Sequence, residues 1–317
     1  MTLTMLRRRD CLRGLVGLLP IPGIVPAASA RRRRGHLIAV GGAEDRERDR
    51  LILRRFIELS GGPLAHVLVL TAASSDPDGA WRGYETVLAE LGAQHVEPID
   101  FRSPEEAHDP RAIERVLSAD GIYISGGDQR RLMAALWDTP AARALHQAFH
   151  LQGCCIGGTS AGAAALSRQM LAIGEPALRP YRHAVSLDIG LGLIANAIID
   201  QHFNERRRLG RLLSALAIRP DLLGVGIDED TALVIERGAG VEILGSGAVT
   251  LIDGRQMRAN AREADPEEPL QMLDLRLHLL PAGTRYRLRE PDEDAPAPPP
   301  ALRQALELLV QPGPLRL

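Results

Sequence analysis

The sequence contains no lysine; all 38 basic residues among its 317 positions are arginine. This excludes a phosphate-binding loop lysine, a Schiff-base lysine and a Ser–Lys dyad. Arginine favours bidentate capture of carboxylates instead. Cysteine is scarce, with Cys11, Cys154 and Cys155 only. The last two are adjacent, cannot easily bridge each other, and read as small buried residues. No metal-ligand spacing is present, so neither a metal nor a cofactor is expected. Aromatic residues make up 3% of the chain and the net charge is −2. With no stacking residues among the arginines and no positive field, nucleic acid is not an expected partner. The one long apolar run near the N-terminus, Gly14–Val25, is short for a span and holds Pro20 and Pro22. A membrane-crossing helix is therefore not expected there. What remains, 45% hydrophobic and 25% charged, suits one soluble globular domain with appendages.

The N-terminus has the order of an export signal. Arg7-Arg8-Arg9 precedes the apolar run, which closes on Ala28-Ser29-Ala30. Arg8-Arg9-Asp10-Cys11-Leu12-Arg13 resembles a twin-arginine signal. Cleavage after Ala30 would leave a basic leader over 31–35 and a periplasmic or extracellular protein with no membrane anchor.

From His36 the chain alternates apolar strands and helix-period segments. Strands are expected at His36–Val40, His66–Leu70, His95–Ile99, Gly121–Ser125 and Cys154–Ile156. Helices are expected at Glu44–Leu59, Trp81–Leu91, Arg111–Leu117, Arg130–Leu136, Ala141–Leu151 and Ala163–Met170. This pattern predicts an α/β fold, a mostly parallel sheet with helices on both faces. Further strands are expected at Ala197–Ile199 and Leu222–Ile227, followed by C-terminal antiparallel strands at Ala232–Ile235, Val241–Leu244 and Ala248–Ile252. Glu175–Asn196 reads as a long loop in position for a lid, and Asn204–Ala217 as an arginine-rich helix. The main domain is expected over 36–289, and 290–317 as a Pro/acidic linker with a C-terminal helix. In such sheets sites lie at the carboxyl ends of the strands, so Gly42, Thr71, Gly127 and Gly158 are expected on one rim.

Gly158 to Gly162 reads G-x-S-x-G between a strand and a helix, the setting of a nucleophile elbow at Ser160. The flanking residues must be small because backbones pass close there. A serine nucleophile needs a base and a group to orient it. His202 follows one expected strand and Glu229 another. The order serine, histidine, acid differs from that of the α/β-hydrolases, where the acid precedes the histidine. Asp228, Glu229 and Asp230 are not ranked by chemistry alone, although Glu229 would point away from its neighbours on a strand. Arg207 and Arg211, and Arg208 and Arg211, have the spacing of shared helix faces. They suit either a solvated face or a carboxylate clamp beside the serine.

Four motifs together, Gly126-Gly127-Asp128-Gln129, Gly158-Thr159-Ser160-Ala161-Gly162-Ala163, Asp200-Gln201-His202-Phe203 with Arg206, Arg208 and Arg211, and Gly226–Ala232, resemble those of the cyanophycinase family. That family belongs with the serine peptidases that include the aspartyl dipeptidase peptidase E. The resemblance covers roughly His36–Ile252. It implies a class I glutamine amidotransferase-like fold, a homodimer, and exo-acting hydrolysis of a poly-aspartate bearing arginine on each β-carboxyl, with β-aspartyl-arginine dipeptide as product. By motif match Ser160 would be nucleophile, His202 base and Glu229 its orienter. Gly127 and Ala161 would supply oxyanion N–H groups. Gln129, Asp200, Gln201, Arg206, Arg208 and Arg211 would line the substrate pocket. Leu209 stands where the arginine motif is expected to have a polar residue. An isoaspartyl or α-aspartyl dipeptidase of the same family, and a non-catalytic exported binding protein, are the alternatives.

Overall fold

The computed structural model of the protein describes residues 35–315. The expected export signal, Met1–Ala30, and nearly all of the leader lie outside the described residues. Along the first half, β1 (His36–Val40), α1 (Leu51–Ser60), β2 (His66–Leu70), α2 (Pro77–Glu90), β3 (His95–Ile99), α3 (Pro110–Ser118), β4 (Gly121–Ile124), α4 (Gln129–Leu136), α5 (Pro140–Gln147), β5 (Cys155–Thr159) and α6 (Ala161–Ala165) follow one another. The chain continues through β6 (Gln169–Gly174), β7 (Val185–Ile189), β8 (Ala197–Gln201), α7 (Leu209–Ile218), β9 (Leu223–Ile227), β10 (Thr231–Glu236), β11 (Gly240–Gly245) and β12 (Ala248–Asp253). It ends in two-residue strands β13 (Arg258–Ala259) and β14 (Met272–Leu273), then β15 (Arg276–Pro281), β16 (Arg285–Arg287) and α8 (Pro300–Val310).

The fold is α/β, but the strands form two main sheets. The larger has eight strands in the order β16-β11-β10-β1-β5-β4-β2-β3. Its β1, β5, β4, β2 and β3 are parallel, and β10, β11 and β16 run antiparallel. The smaller, β15-β12-β9-β8, pairs β8 and β9 in parallel and adds β12 and β15 antiparallel. Parallel strands covered on both faces must be apolar throughout, which is why β2 reads His-Val-Leu-Val-Leu. Alternate residues enter opposite cores: Leu37 and Ala39 of β1 join one cluster, Ile38 and Val40 the other. The inner face of the smaller sheet, with Ile199, Val225 and Leu251, shares the first cluster. Its outer face is covered by Leu212 and Leu216 of α7.

Several boundaries differ from expectation for local reasons. Helix α1 begins at Leu51 rather than Glu44 because the Asp45 carboxylate binds the N–H groups of Glu47, Arg48 and Arg50, folding that stretch into a loop. Helix α6 ends at Ala165, not Met170: the chain is drawn into strand β6, with Arg168 N–H on the Ile194 carbonyl. The expected loop over Glu175–Asn196 contains β7, which pairs antiparallel with β6. Helix α7 starts only at Leu209, so Arg206, Arg207 and Arg208 lie on a preceding turn and do not share a helix with Arg211. The C-terminal helix α8 packs Leu302, Leu306 and Leu309 into the first core.

Candidate active site

The site is built on the end of β1. Three consecutive carbonyls there hold three other segments. Val40 accepts the N–H of Ser160 at 3.0 Å, Gly41 that of His202 at 2.7 Å, and Gly42 that of Asp230 at 2.9 Å. Strands from both sheets thus deliver their ends to one rim.

Ser160 sits between β5 and α6 with φ 50 and ψ −111. For a non-glycine residue such backbone costs roughly 1–3 kcal/mol and persists only where the surroundings impose it. The surroundings here are close. A Cβ on Gly158 would stand 2.6 Å from the carbonyl carbon of Gly162, and one on Gly162 would stand 2.5 Å from the carbonyl oxygen of Ile124. The two glycines of the elbow therefore let α6 descend onto β5 and β4. His202, with φ 48, leaves β8 in a turn; the next residue, Phe203, donates its N–H to Ile227 at 3.0 Å. The Phe203 ring fills the place where a Cβ at Gly226 would be, 2.5 Å from Cδ1. Glu229 follows β9 on a turn, not on a strand.

These turns bring the three side chains together. Ser160 Oγ lies 2.9 Å from His202 Nε2, and His202 Nδ1 lies 2.6 Å from Glu229 Oε1. A carboxylate only accepts, so Nδ1 carries the proton and Nε2 is free to take the serine's. Burial is the largest influence on His202 and holds the imidazole below its ordinary value; Glu229 works against it, and the cations Arg206 and Arg208 add to the lowering. The imidazole is thus favoured in its neutral form at neutral pH. The flanking acids have other tasks. Asp228 accepts the N–H groups of Asn204 and Ala248, Asp230 that of Asp45, and Glu205 that of Glu229 itself.

The expected oxyanion donors border the serine. A Cβ on Gly126 would be 3.5 Å from Ser160 Cβ, which sets the Gly126-Gly127 turn against that serine. Gly127 has φ +143 and no room for a side chain, with the Ala73 carbonyl carbon 2.5 Å from a Cβ there. Ala161 is the first residue of α6, so its N–H belongs to the helix start that lacks an intrahelical acceptor.

Of the expected pocket residues, Asp200 is fully buried at 0% exposure. It is the counter-ion of two arginines: Arg211 Nε donates to it at 3.0 Å, Arg211 Nη2 binds its other oxygen, and Arg208 reaches it at 3.4 Å. Arg208 also binds the carbonyl and the side-chain oxygen of Gln201. Burial, then the Arg211 cation, lowers Arg208 to about 10, so it stays charged at neutral pH. Gln129 begins α4 and donates its amide to Leu171 at 2.7 Å. Arg206 is exposed beside His202, whose carbonyl accepts its N–H. Leu209, at the head of α7, is 44% exposed.

One group near the serine was not singled out by the sequence. Glu44, buried in the loop after β1, accepts from the hydroxyl of Thr159 at 2.6 Å. Its only signal was an acid two positions beyond a Gly-Gly strand end.

Comparison with known proteins places the chain in a family. The family model described as Peptidase family S51 matches residues 37–243. The cyanophycinase of Geminocystis herdmanii is 39% identical over 254 residues, 80% of this chain and 93% of that protein. That of Thermosynechococcus vestitus is 40% identical over 257 residues, 81% of this chain and 80% of that protein. Among solved structures, a peptidase from an acI-B1 Actinobacterium aligns with a TM-score of 0.54 at 25% identity, covering 78% of this chain and 98% of its own.

Proposed function

The chain belongs to peptidase family S51 and is a serine-type peptidase, and we propose that it hydrolyses cyanophycin, releasing β-aspartyl-arginine dipeptides through a Ser160–His202–Glu229 triad. The observation that carries this reading is the continuous relay of 2.9 Å and 2.6 Å contacts from Ser160 through His202 to Glu229, beside an arginine cluster. Relatives named cyanophycinase support the substrate.

Ser160 Oγ attacks a backbone carbonyl of the polymer while His202 Nε2 takes its proton. Glu229 keeps the imidazole in the required tautomer and balances the imidazolium. The N–H groups of Gly127 and Ala161 receive the oxyanion. His202 then returns the proton to the leaving amine, and water, activated by the same imidazole, releases the acyl group. A β-linked aspartyl unit leaves a carboxylate for Arg206, Arg208 and Arg211 to recognise, with Gln129 and Gln201 at the sides and Asp200 fixing two of the three arginines.

Purified cyanophycin incubated with the enzyme should yield the dipeptide, identified by mass. Ser160→Ala should lower the rate by several orders of magnitude. Cleavage of isoaspartyl or α-aspartyl dipeptides with the polymer untouched would overturn the substrate, and near-normal turnover by Ser160→Ala would overturn the triad. We also propose export on the twin-arginine-like segment, so that the enzyme meets polymer outside the cell, and a homodimer in solution. Cell fractionation and sedimentation test these; a mature protein confined to the cytosol, or a monomer, would count against them.

A further inference from the structure

We propose that Glu44 is a positioning residue for the nucleophile and acts on it through Thr159. The inference rests on the reading of Ser160 as nucleophile. Glu44's hydrogen-bond partners are Arg46, Tyr84 and Thr159, not Ser160 or His202. Its carboxylate lies beneath the elbow, with 1% of the side chain exposed. One oxygen, Oε2, accepts the Thr159 hydroxyl at 2.6 Å. The other, Oε1, accepts the Tyr84 hydroxyl at 2.6 Å and Arg46 Nη2 at 2.7 Å. Arg46 in turn stacks its guanidinium 4.2 Å from the centre of the Tyr84 ring. Burial, and then the Glu44 charge, push the phenols of Tyr84 and Tyr123 well above their ordinary values. Both phenols therefore stay neutral and serve the Glu44 carboxylate as neutral neighbours.

Thr159 is the last residue of β5 and immediately precedes Ser160. Its backbone is in register with Val40 of β1. Its side chain is tied to Glu44 on the same β1–α1 loop. The residue is thus held from two directions at the point where the chain must turn into the positive-φ conformation of Ser160. Holding a strand end does not require a buried carboxylate, since apolar packing does so without desolvating a charge. What a carboxylate adds is direction: a short, charge-assisted bond fixes the rotation of Thr159, and with it the start of the Thr159–Ser160 peptide from which the Ser160 turn leaves. The same loop presents the Gly41 and Gly42 carbonyls to the His202 and Asp230 backbones. Glu44 therefore locks the nucleophile to the element that already positions the base and the turn of its orienter.

The test uses the full chain with cyanophycin, and a fluorophosphonate as a second probe of serine reactivity. Thr159→Val removes the hydroxyl, and Thr159→Ser keeps it. Glu44→Gln keeps the shape but turns an N–H₂ toward one of the donors. We expect Thr159→Val and Glu44→Gln each to lower kcat and the labelling rate by on the order of 10²-fold, the cost of a small misplacement, with KM unchanged. Thr159→Ser should restore most of the rate, and the double variant should be no slower than the slower single. If Glu44→Gln does not fold, the Thr159→Val and Thr159→Ser pair decides. A folded Thr159→Val with wild-type kcat overturns the positioning role, provided Ser160→Ala is inactive. Turnover by Ser160→Ala overturns the nucleophile reading itself.

Discussion

Gly42 lies directly against the imidazole of His202. A Cβ there would overlap Cε1 and stand 2.5 Å from Nε2, the atom that faces Ser160. Gly42 also has φ +102, a conformation that L side chains rarely adopt. Gly42→Ala should therefore displace the ring from the serine. The expected result is a loss in kcat of about 10²-fold or more, by analogy with other small misplacements of reacting groups. Turnover measured beside thermal unfolding checks it, and an active, folded variant would show that the ring has room to move.

Activity should persist below the pH at which a free histidine would switch it off. A histidine base works only when neutral, and His202, the proposed base, is held below its ordinary value by burial first, with Arg206 and Arg208 adding to the effect. The acid limb of kcat/KM should thus lie below about 6.5, the usual histidine value. Arg206 is exposed, so its contribution is screened by salt. Arg206→Gln removes a cation that opposes protonation; the pKa rises and the acid limb moves to higher pH. Salt should move the wild-type limb the same way and the variant's less. pH–rate profiles at two ionic strengths read both shifts.

Much of this was legible in the sequence because burial leaves a plain mark. Val67 to Leu70 and Cys155 to Gly158 are covered on both faces, so apolar runs find them. Ser160, His202 and the acidic run Asp228–Asp230 stand at strand ends in the sequence, where turns let polar groups face a cleft; the choice of Glu229 among the three acids comes from the family resemblance. The division into two sheets was not, because β8 and β9 pair in parallel and look like any other strand. Helix limits failed where side chains override periodicity. Asp45 caps a loop inside a run with helical spacing, and the alanines of α6 stop where β6 and β7 capture the chain. Glu44 stands in the sequence only as the first residue of an expected helix. Its burial comes from Thr159 and Tyr84, 115 and 40 residues away, and no local pattern carries that.

Asp200 should matter more to stability than to chemistry. It is 0% exposed and neutralises Arg208 and Arg211, which are themselves buried. Removing one partner of such a group leaves uncompensated charge and costs about 3–5 kcal/mol. For a chain of this size that corresponds to a fall in Tm on the order of 10 °C. Asp200→Asn should show that fall by calorimetry, and adding Arg211→Met should recover part of it by deleting one of the stranded cations. If Asp200→Asn melted with the wild type, the arginines would be held by something other than this carboxylate.

The three adjacent acids at 228–230 should separate cleanly under substitution, because each is committed to a different partner. Only Glu229 reaches the imidazole, at 2.6 Å. Asp228 binds the N–H groups of Asn204 and Ala248, tying the turn after His202 to β12, and Asp230 binds that of Asp45. Glu229→Gln keeps the shape but presents either an amide N–H or a neutral oxygen to Nδ1. The tautomer is then no longer enforced and the imidazolium loses its counter-charge. In a serine–histidine–acid relay this costs on the order of 10⁴-fold in kcat. Asp228→Asn keeps one acceptor and loses the other, so its expected effect is a loss of stability of about 1–2 kcal/mol with a far smaller change in rate. Asp230→Asn should be milder still. Rates and unfolding curves for the three variants test the ranking, and a slower Asp228→Asn than Glu229→Gln would move the orienting role to Asp228.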